Sequence, residues 1–251
     1  MSFSLSGRVA LVTGSSAGLG KAIAMAFGNA GAKVAINYHN NKERAEKTMS
    51  EFADQGITCD LFRANVIDES SVDAMFNEIE SKLGNVDIVV PNATPDQPLK
   101  PIEEYDWEFY QSMLDFFIKS PFLLARRALP SMKEKKWGRI INITSEVYQL
   151  SVAPFSAYVA AKGGQIGWSR SMSKELAPHG ITVNMIAPGW IPVERHEKDP
   201  QEMKDGYLAN IPMKRWGKPE EVGNAAVYYA SDEAAFVTGQ TICVNGGNSP
   251  W

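Results

Sequence analysis

The chain has 251 residues, 44% of them hydrophobic and 22% charged, with a formal net charge of −4 and a pI near 5.5. That length suits one α/β domain with a sizeable core, read here as a single domain over residues 1–251. The mild negative charge gives no basic field for nucleic acid or an anionic membrane. The longest apolar stretch, Met113 to Leu129, is interrupted by Asp115, Lys119, Arg126 and Arg127, which excludes a simple membrane span. No charged-then-apolar leader precedes the first strand-like run. Two separated cysteines, Cys59 and Cys243, fit a reducing, cytoplasmic setting better than a disulfide scaffold. They and the scattered histidines (His39, His179, His196) match no metal-ligand spacing, so no metal is expected.

In chain order, Arg8 to Val12 is a short apolar run, followed by Thr13-Gly14-Ser15-Ser16-Ala17-Gly18-Leu19-Gly20 and a helical pattern from Lys21 to Asn29. A strand, a glycine-rich turn and a helix together can hold a dinucleotide. Gly14 permits the tight turn, Gly18 lets backbone approach the pyrophosphate, and Gly20 allows close helix packing, while the helix N-terminus offers free N–H groups. The spacing is G-x-x-x-G-x-G rather than the commoner G-x-G-x-x-G. The alternation then repeats. Strands are predicted at Lys33–Asn37, Thr58–Ala64, Val86–Val90, Gly138–Thr144, Ile181–Ala187 and Thr241–Val244. Helices are predicted at Lys42–Gln55, Asp68–Leu83, Asp106–Lys135 (bent or broken at Pro121 and Pro130), Phe155–Ala177 and Pro219–Ser231. Short β-branched runs alternating with longer helical patterns predict an α/β fold, a doubly wound parallel sheet with helices on both faces. The ligand crevice then lies beyond the strands' carboxyl ends, beside the glycine loop, Asn37, Asn65, Asn92, Ser145 and Pro188-Gly189. Residues 190–213, polar and mixed, read as a mobile substrate loop with a short helix.

One stretch carries chemistry. Tyr158 and Lys162 are four residues apart, on one face of a helix, and Ser145 lies thirteen residues before the tyrosine at a strand end. Phenol, ammonium and hydroxyl brought together could move a proton to or from a substrate oxygen.

With Thr13-Gly14-x3-Gly18-x-Gly20, Ser145, Tyr158-x3-Lys162, Asn184 with Pro188-Gly189, and Thr238-Gly239-Gln240 before Asn245-Gly246-Gly247, the chain resembles the short-chain dehydrogenase/reductase family over nearly its whole length. The resemblance implies a Rossmann fold and hydride transfer between nicotinamide C4 and a carbonyl or carbinol carbon. Tyr158 would be the general acid or base, Ser145 would polarise the substrate oxygen, and Lys162 would bond the nicotinamide ribose and lower the tyrosine pKa. A free tyrosine titrates at about 10, and a cation roughly 4–5 Å away would bring it to about 7–8. The cofactor residues implied are Gly14, Ser15, Ser16, Gly18, Leu19, Gly20, Asn37, Tyr38, Asn65, Val66, Asn92, Ala93, Tyr158, Lys162, Pro188, Gly189 and Ile191. The neutral Asn37 at the end of the second strand, with Lys42 and Arg44 nearby, favours NADP. Ala17, standing where NADP-using relatives often carry a basic residue, keeps NAD open.

Gly163 and Gly164, beside Ala157, Ala160 and Ala161, suggest close approach of another backbone, and the resemblance implies a homo-oligomer, a tetramer or a dimer. Three positions depart from the family pattern. Pro91-Asn92-Ala93-Thr94 replaces Asn-Asn-Ala-Gly, Val193 replaces a threonine, and Phe117 stands where relatives carry an asparagine that holds a water behind the lysine. Thr94 to Gln97, Glu146 to Leu150 and Trp190 to His196 are expected to wall the substrate, and their polar members favour a small polar carbonyl or polyol over a long acyl chain. 3-Oxoacyl-carrier-protein reductases and sugar 1-dehydrogenases both fit the resemblance. An NAD-dependent sugar or alcohol dehydrogenase, or a nucleotide-binding regulator that turns over little, remain the alternatives.

Overall fold

The computed structural model describes residues 3–250. Seven parallel strands form one sheet in the order β3-β2-β1-β4-β5-β6-β7. They are β1 (Val9–Val12), β2 (Lys33–Tyr38), β3 (Cys59–Arg63), β4 (Ile88–Val90), β5 (Gly138–Ile143), β6 (Ile181–Pro188) and β7 (Thr241–Val244). The central strands β1, β4, β5 and β6 are buried at every position. This is the pattern expected of parallel strands covered on both faces.

Helices α1 (Gly18–Asn29), α2 (Lys42–Asp54) and α9 (Pro219–Ala230) cover one face, where Ile23, Phe27, Phe52, Val222 and Tyr229 join Val12, Val34 and Ile36 in one core. Helices α3 (Glu69–Lys82), α5 (Ser120–Lys135) and α7 (Ser156–Leu176) cover the other. There Phe76, Ile79, Leu124, Met132 and Leu176 pack on Leu11, Val89, Ile140 and Val183. Side-chain acceptors start several helices. Asn41 accepts from the Arg44 amide at 2.9 Å, Asp68 from Ser71 at 2.7 Å, and Asp106 from Phe109 at 2.7 Å. Each satisfies an amide that a helix start leaves unpaired.

The long helical stretch after β4 divides differently from the sequence reading. It comprises α4 (Trp107–Leu114), one π turn (Asp115–Lys119) and α5. Pro121 lies in the first turn of α5, where its missing amide proton is tolerated, and Pro130 is carried inside that helix. The break is the π turn before Pro121. A four-residue turn, α6 (Val147–Leu150), follows β5, and α8 (Gln201–Asn210) lies within residues 190–213.

The strand order reverses between β1 and β4, which opens a crevice at the strands' carboxyl ends. The glycine loop, Asn92, Ser145 and Pro188 all emerge there, on β1, β4, β5 and β6 respectively.

Candidate active site

The floor of the site is the join between β1 and β4. The Thr13 hydroxyl accepts from the amides of Asn92 (2.8 Å) and Ala93 (3.0 Å), and the Asn92 amide group donates to the Thr13 carbonyl at 2.8 Å. Gly14 has φ +62°, and an added Cβ would lie 3.0 Å from the Ala93 Cα, so only glycine fits. A Cβ at Gly20 would collide with the Asn92 side chain and the Gly14 carbonyl, which fixes how closely α1 sits on the loop.

Ala17 precedes α1 in extended conformation without a side-chain cap, leaving first-turn amides open. The Gly18 amide donates to the Glu194 carboxylate at 3.1 Å. The uncapped helix end therefore already accepts an anionic group from its own chain. This donor set, with the glycine turn, fits the pyrophosphate of a dinucleotide.

Several expected cofactor residues have internal duties instead. Asn37 is 2% exposed. Its Oδ1 accepts from the Gly14 amide at 3.1 Å, and its Nδ2 donates to the carbonyls of Phe62 (3.2 Å) and Ala64 (3.4 Å). The side chain is thus consumed in joining the glycine loop to β3, and it is not available to a ribose. The next residue, Tyr38, lies on the opposite face of the strand, in register with Arg63. The Arg63 Nε donates to the His39 carbonyl at 3.1 Å. Ser15 is likewise inward, its hydroxyl donating to the Val12 carbonyl at 2.7 Å and accepting from the Asn37 amide at 3.1 Å. Ser16 and Val66 are buried, and Leu19 is half-buried beside the α1 start. Asn65 Oδ1 accepts from the Ile67 amide at 3.3 Å, and its second lone pair remains for an adenine amino group.

At the centre, the Thr144 amide and hydroxyl both donate to the Ile186 carbonyl, at 2.8 and 3.0 Å, holding the end of β5 against β6. Ser145 follows directly; its hydroxyl accepts from the Val147 amide at 3.4 Å and lies near enough to the Tyr158 phenol to oppose the rise in its pKa. Tyr158 and Lys162 stand one turn apart near the start of α7, with the Lys162 Nζ 5.5 Å from the Tyr158 ring centroid. The Tyr110 and Ser156 hydroxyls, 2.6 Å apart, fasten this end of α7 to α4. The Lys162 Nζ donates to the Ile143 carbonyl at 2.6 Å and to Gln165 Oε1 at 3.1 Å.

The electrostatics correct the sequence-based expectation of a tyrosine brought to about 7–8. Burial pushes the Tyr158 pKa up to about 12, against the opposing Ser145 hydrogen bond and the Arg195 charge. Burial, with a smaller contribution from Arg195, also holds Lys162 well below the usual ammonium range. Both groups lose water together, and the ammonium is bonded to carbonyl oxygens rather than aimed at the phenol oxygen.

Glu146, expected to line the substrate, is only 3% exposed and faces the other way. Its carboxylate accepts from the Tyr207 hydroxyl and from Asn248 Nδ2 at 3.3 Å, and burial raises its pKa. The Tyr207 hydroxyl accepts from the Trp190 amide at 2.7 Å, and its ring stacks on Trp216 at 5.6 Å. A Cβ at Gly189 would strike that same hydroxyl. Pro188 and Gly189 thus anchor the loop, Ile191 is buried in the core, and α8 is tied to the end of β5. No local spacing signals this anchor, since Tyr207 and Asn248 lie 61 and 102 residues from Glu146. Within the chain, Gly163 and Gly164 lie close to the side chains of Tyr148 and Ile118 respectively.

A glycine loop at the switch point of a parallel sheet, with a Ser-Tyr-Lys group opposite, defines a dinucleotide-dependent oxidoreductase site. The family described as enoyl-(acyl carrier protein) reductase matches residues 14–249. The 3-oxoacyl-(acyl-carrier-protein) reductase FabG of Staphylococcus aureus is 39% identical over 240 residues, 95% of this chain and 96% of that protein. A gluconate 5-dehydrogenase from Burkholderia cenocepacia, solved with NADP and tartrate, superimposes with a TM-score of 0.91 at 32% identity, covering 98% of this chain and 97% of that one. A 3-oxoacyl (acyl-carrier-protein) reductase from Agrobacterium tumefaciens, solved with NADP bound, gives 0.90 at 29% identity, covering 98% and 96%. The chain belongs to the short-chain dehydrogenase/reductase family of NAD(P)-dependent enzymes. Among the described residues no helix is long and apolar enough to cross a membrane.

Proposed function

We propose that the protein is an NADP(H)-dependent carbonyl reductase or alcohol dehydrogenase acting on a small polar substrate that bears a carboxylate. The observation that carries the reaction type is the convergence of Ser145, Tyr158 and Lys162 at the end of β5, opposite the glycine loop. A bound nicotinamide would supply the hydride to the carbonyl carbon, or take it from the carbinol. The Ser145 hydroxyl holds the substrate oxygen, and Tyr158 gives that oxygen its proton in reduction and removes it in oxidation. Lys162 lends positive charge beside Tyr158 and offers donors to the ribose. NADP(H) is favoured by Arg63 at the end of β3, paired with Tyr38 at the end of β2, and by the NADP-bound relatives.

Arg195 supports the carboxylate. It lies on the loop after β6, and its charge acts on both Tyr158 and Lys162. Its Nε donates to His196 Nε2 at 3.0 Å, and among the described residues it forms no ion pair with a carboxylate. An exposed guanidinium without a carboxylate partner, on the loop whose charge reaches Tyr158 and Lys162, suits a hydroxy or oxo acid. The gluconate 5-dehydrogenase relative, crystallised with tartrate, is consistent with that class. The second reading is reduction of a 3-oxoacyl thioester, favoured by the 39% identity to FabG.

The test is a paired NADPH and NADH screen against oxo and hydroxy acids, neutral ketones and sugars, and oxoacyl thioesters, followed by nicotinamide absorbance. Turnover of the acids, with KM raised at least tenfold in Arg195→Gln and unchanged for neutral substrates, is the expected result. Preference for thioesters would establish the second reading, and tight nucleotide binding without turnover on any substrate would indicate a regulator.

A further inference from the structure

Phe117 is carried by the π turn between α4 and α5 and is 3% exposed. Such turns widen a helix locally and recur at functional sites. The ring has two neighbours of chemical consequence. The Lys162 Nζ lies 3.7 Å from its centroid, and the Tyr158 ring meets it edge to face at 5.3 Å and 72°. Around it, Met113, Ala157 and Ala161 complete a small cluster whose buried members are all apolar.

An ammonium group has three donors. Lys162 directs hydrogen bonds to the Ile143 carbonyl and to Gln165 Oε1, both neutral, and its Nζ also lies against the Phe117 ring. Charged and titratable groups that act on it are few: Tyr158 on the same helix, and Arg195 from the loop after β6, which repels. Burial works against the cation as well. The negative face of an aromatic ring works for it, most strongly where water is excluded.

We propose that Phe117 is a positioning residue for the Lys162 charge: its ring holds the ammonium protonated beside Tyr158, in a place where a hydrogen-bonded amide and water could otherwise serve. The same ring fixes the Tyr158 plane, so one side chain sets both members of the pair. This inference rests on the assignment of Tyr158 and Lys162 made above.

Phe117→Leu removes the ring with little change in volume, whereas Phe117→Tyr keeps it. The Lys162 titration is read directly by NMR on protein labelled with 15N at lysine Nζ, the signal being assigned by its loss in Lys162→Arg. Phe117→Leu is expected to lower the Lys162 midpoint by about one pH unit. The alkaline limb of alcohol oxidation should move upward in the same variant, because a neutral amine no longer favours the phenolate. Phe117→Tyr is expected to retain both values. An unchanged Lys162 midpoint in Phe117→Leu overturns the proposal, as does an equal shift in both variants. If Phe117→Leu does not fold, Phe117→Met is measured in the same way. A shifted Lys162 midpoint in a protein that turns over no substrate would leave this inference standing and remove the proposed function instead.

Discussion

The Glu194 carboxylate accepts a hydrogen bond from the Gly18 amide at 3.1 Å, at the uncapped start of α1. A dinucleotide pyrophosphate would need that donor and the same positive end of the helix dipole. A dinucleotide bound there would compete with Glu194 for that donor. Glu194→Gln weakens the competitor by removing its charge. A carboxylate at an exposed helix N-terminus contributes about 0.3–1 kcal/mol, so NADPH binding should tighten by roughly two- to fivefold. Fluorescence titration of NADPH reads this. Equal or weaker binding in the variant would show that Glu194 does not guard the site.

The anchor of α8 can be tested apart from chemistry. Tyr207→Phe removes the hydroxyl that accepts from the Trp190 amide and takes one side-chain donor from the buried Glu146 carboxylate. Each unmet buried group costs about 1–3 kcal/mol, which for a domain of this size lowers Tm by roughly 5 °C or more. The pH dependence has a definite sign. Burial already raises the folded-state pKa of Glu146, and loss of the Tyr207 donor raises it further. A carboxyl with a raised folded pKa favours the fold while protonated and loses that contribution as pH rises through the folded value. The Tm deficit of Tyr207→Phe should therefore be larger at neutral than at mildly acidic pH. A deficit independent of pH would mean that Glu146 is not the group exposed by the substitution.

Cofactor selection separates what the sequence shows from what it hides. The glycine loop and the Tyr158–Lys162 pair are legible because each is a local spacing that one turn or one helix converts into geometry. Asn37 is not, because its role depends on the Gly14 amide and on the Phe62 and Ala64 carbonyls, which only strand pairing assembles. Glu146 reads as a substrate-lining charge for the same reason, since its partners are remote in sequence. The tyrosine pKa is not legible either, because spacing reveals the nearby cation but not the burial that outweighs it.

It follows that an acidic residue at position 37 will not switch the cofactor. Asn37→Asp sets a carboxylate against the carbonyls of Phe62 and Ala64 and removes their donor. The expected result is a loss of at least about 2 kcal/mol of stability, with the NADPH to NADH preference of the remaining folded enzyme unchanged. Arg63→Ala is the informative substitution. A charge-assisted contact to a 2′-phosphate is worth about 1.5–3 kcal/mol, so kcat/KM for NADPH should fall by roughly ten- to a hundredfold and that for NADH by less than threefold. If Asn37→Asp gave a stable enzyme preferring NADH, the internal role of Asn37 would be refuted.

Tyr158 gives the sharpest pH signature. With its pKa pushed up to about 12, the phenol is protonated throughout the neutral range, which is the form that reduction needs. The ammonium of Lys162, and the positive ring of an oxidised nicotinamide when bound, can lower that value but start from a high one. Reduction should therefore be flat in kcat/KM across neutral pH and fall only in the alkaline range. Oxidation needs the phenolate and should rise about tenfold per pH unit up to the same limb. Tyr158→Phe keeps the ring packed on Phe155 and Phe117 but removes the proton. Its kcat should drop by roughly a hundred- to ten-thousandfold in both directions, with NADPH affinity within about threefold of the parent. If the variant kept more than about a tenth of the parent rate, the proton would have to come from another group, and the neighbouring Ser145 hydroxyl would be the next to test.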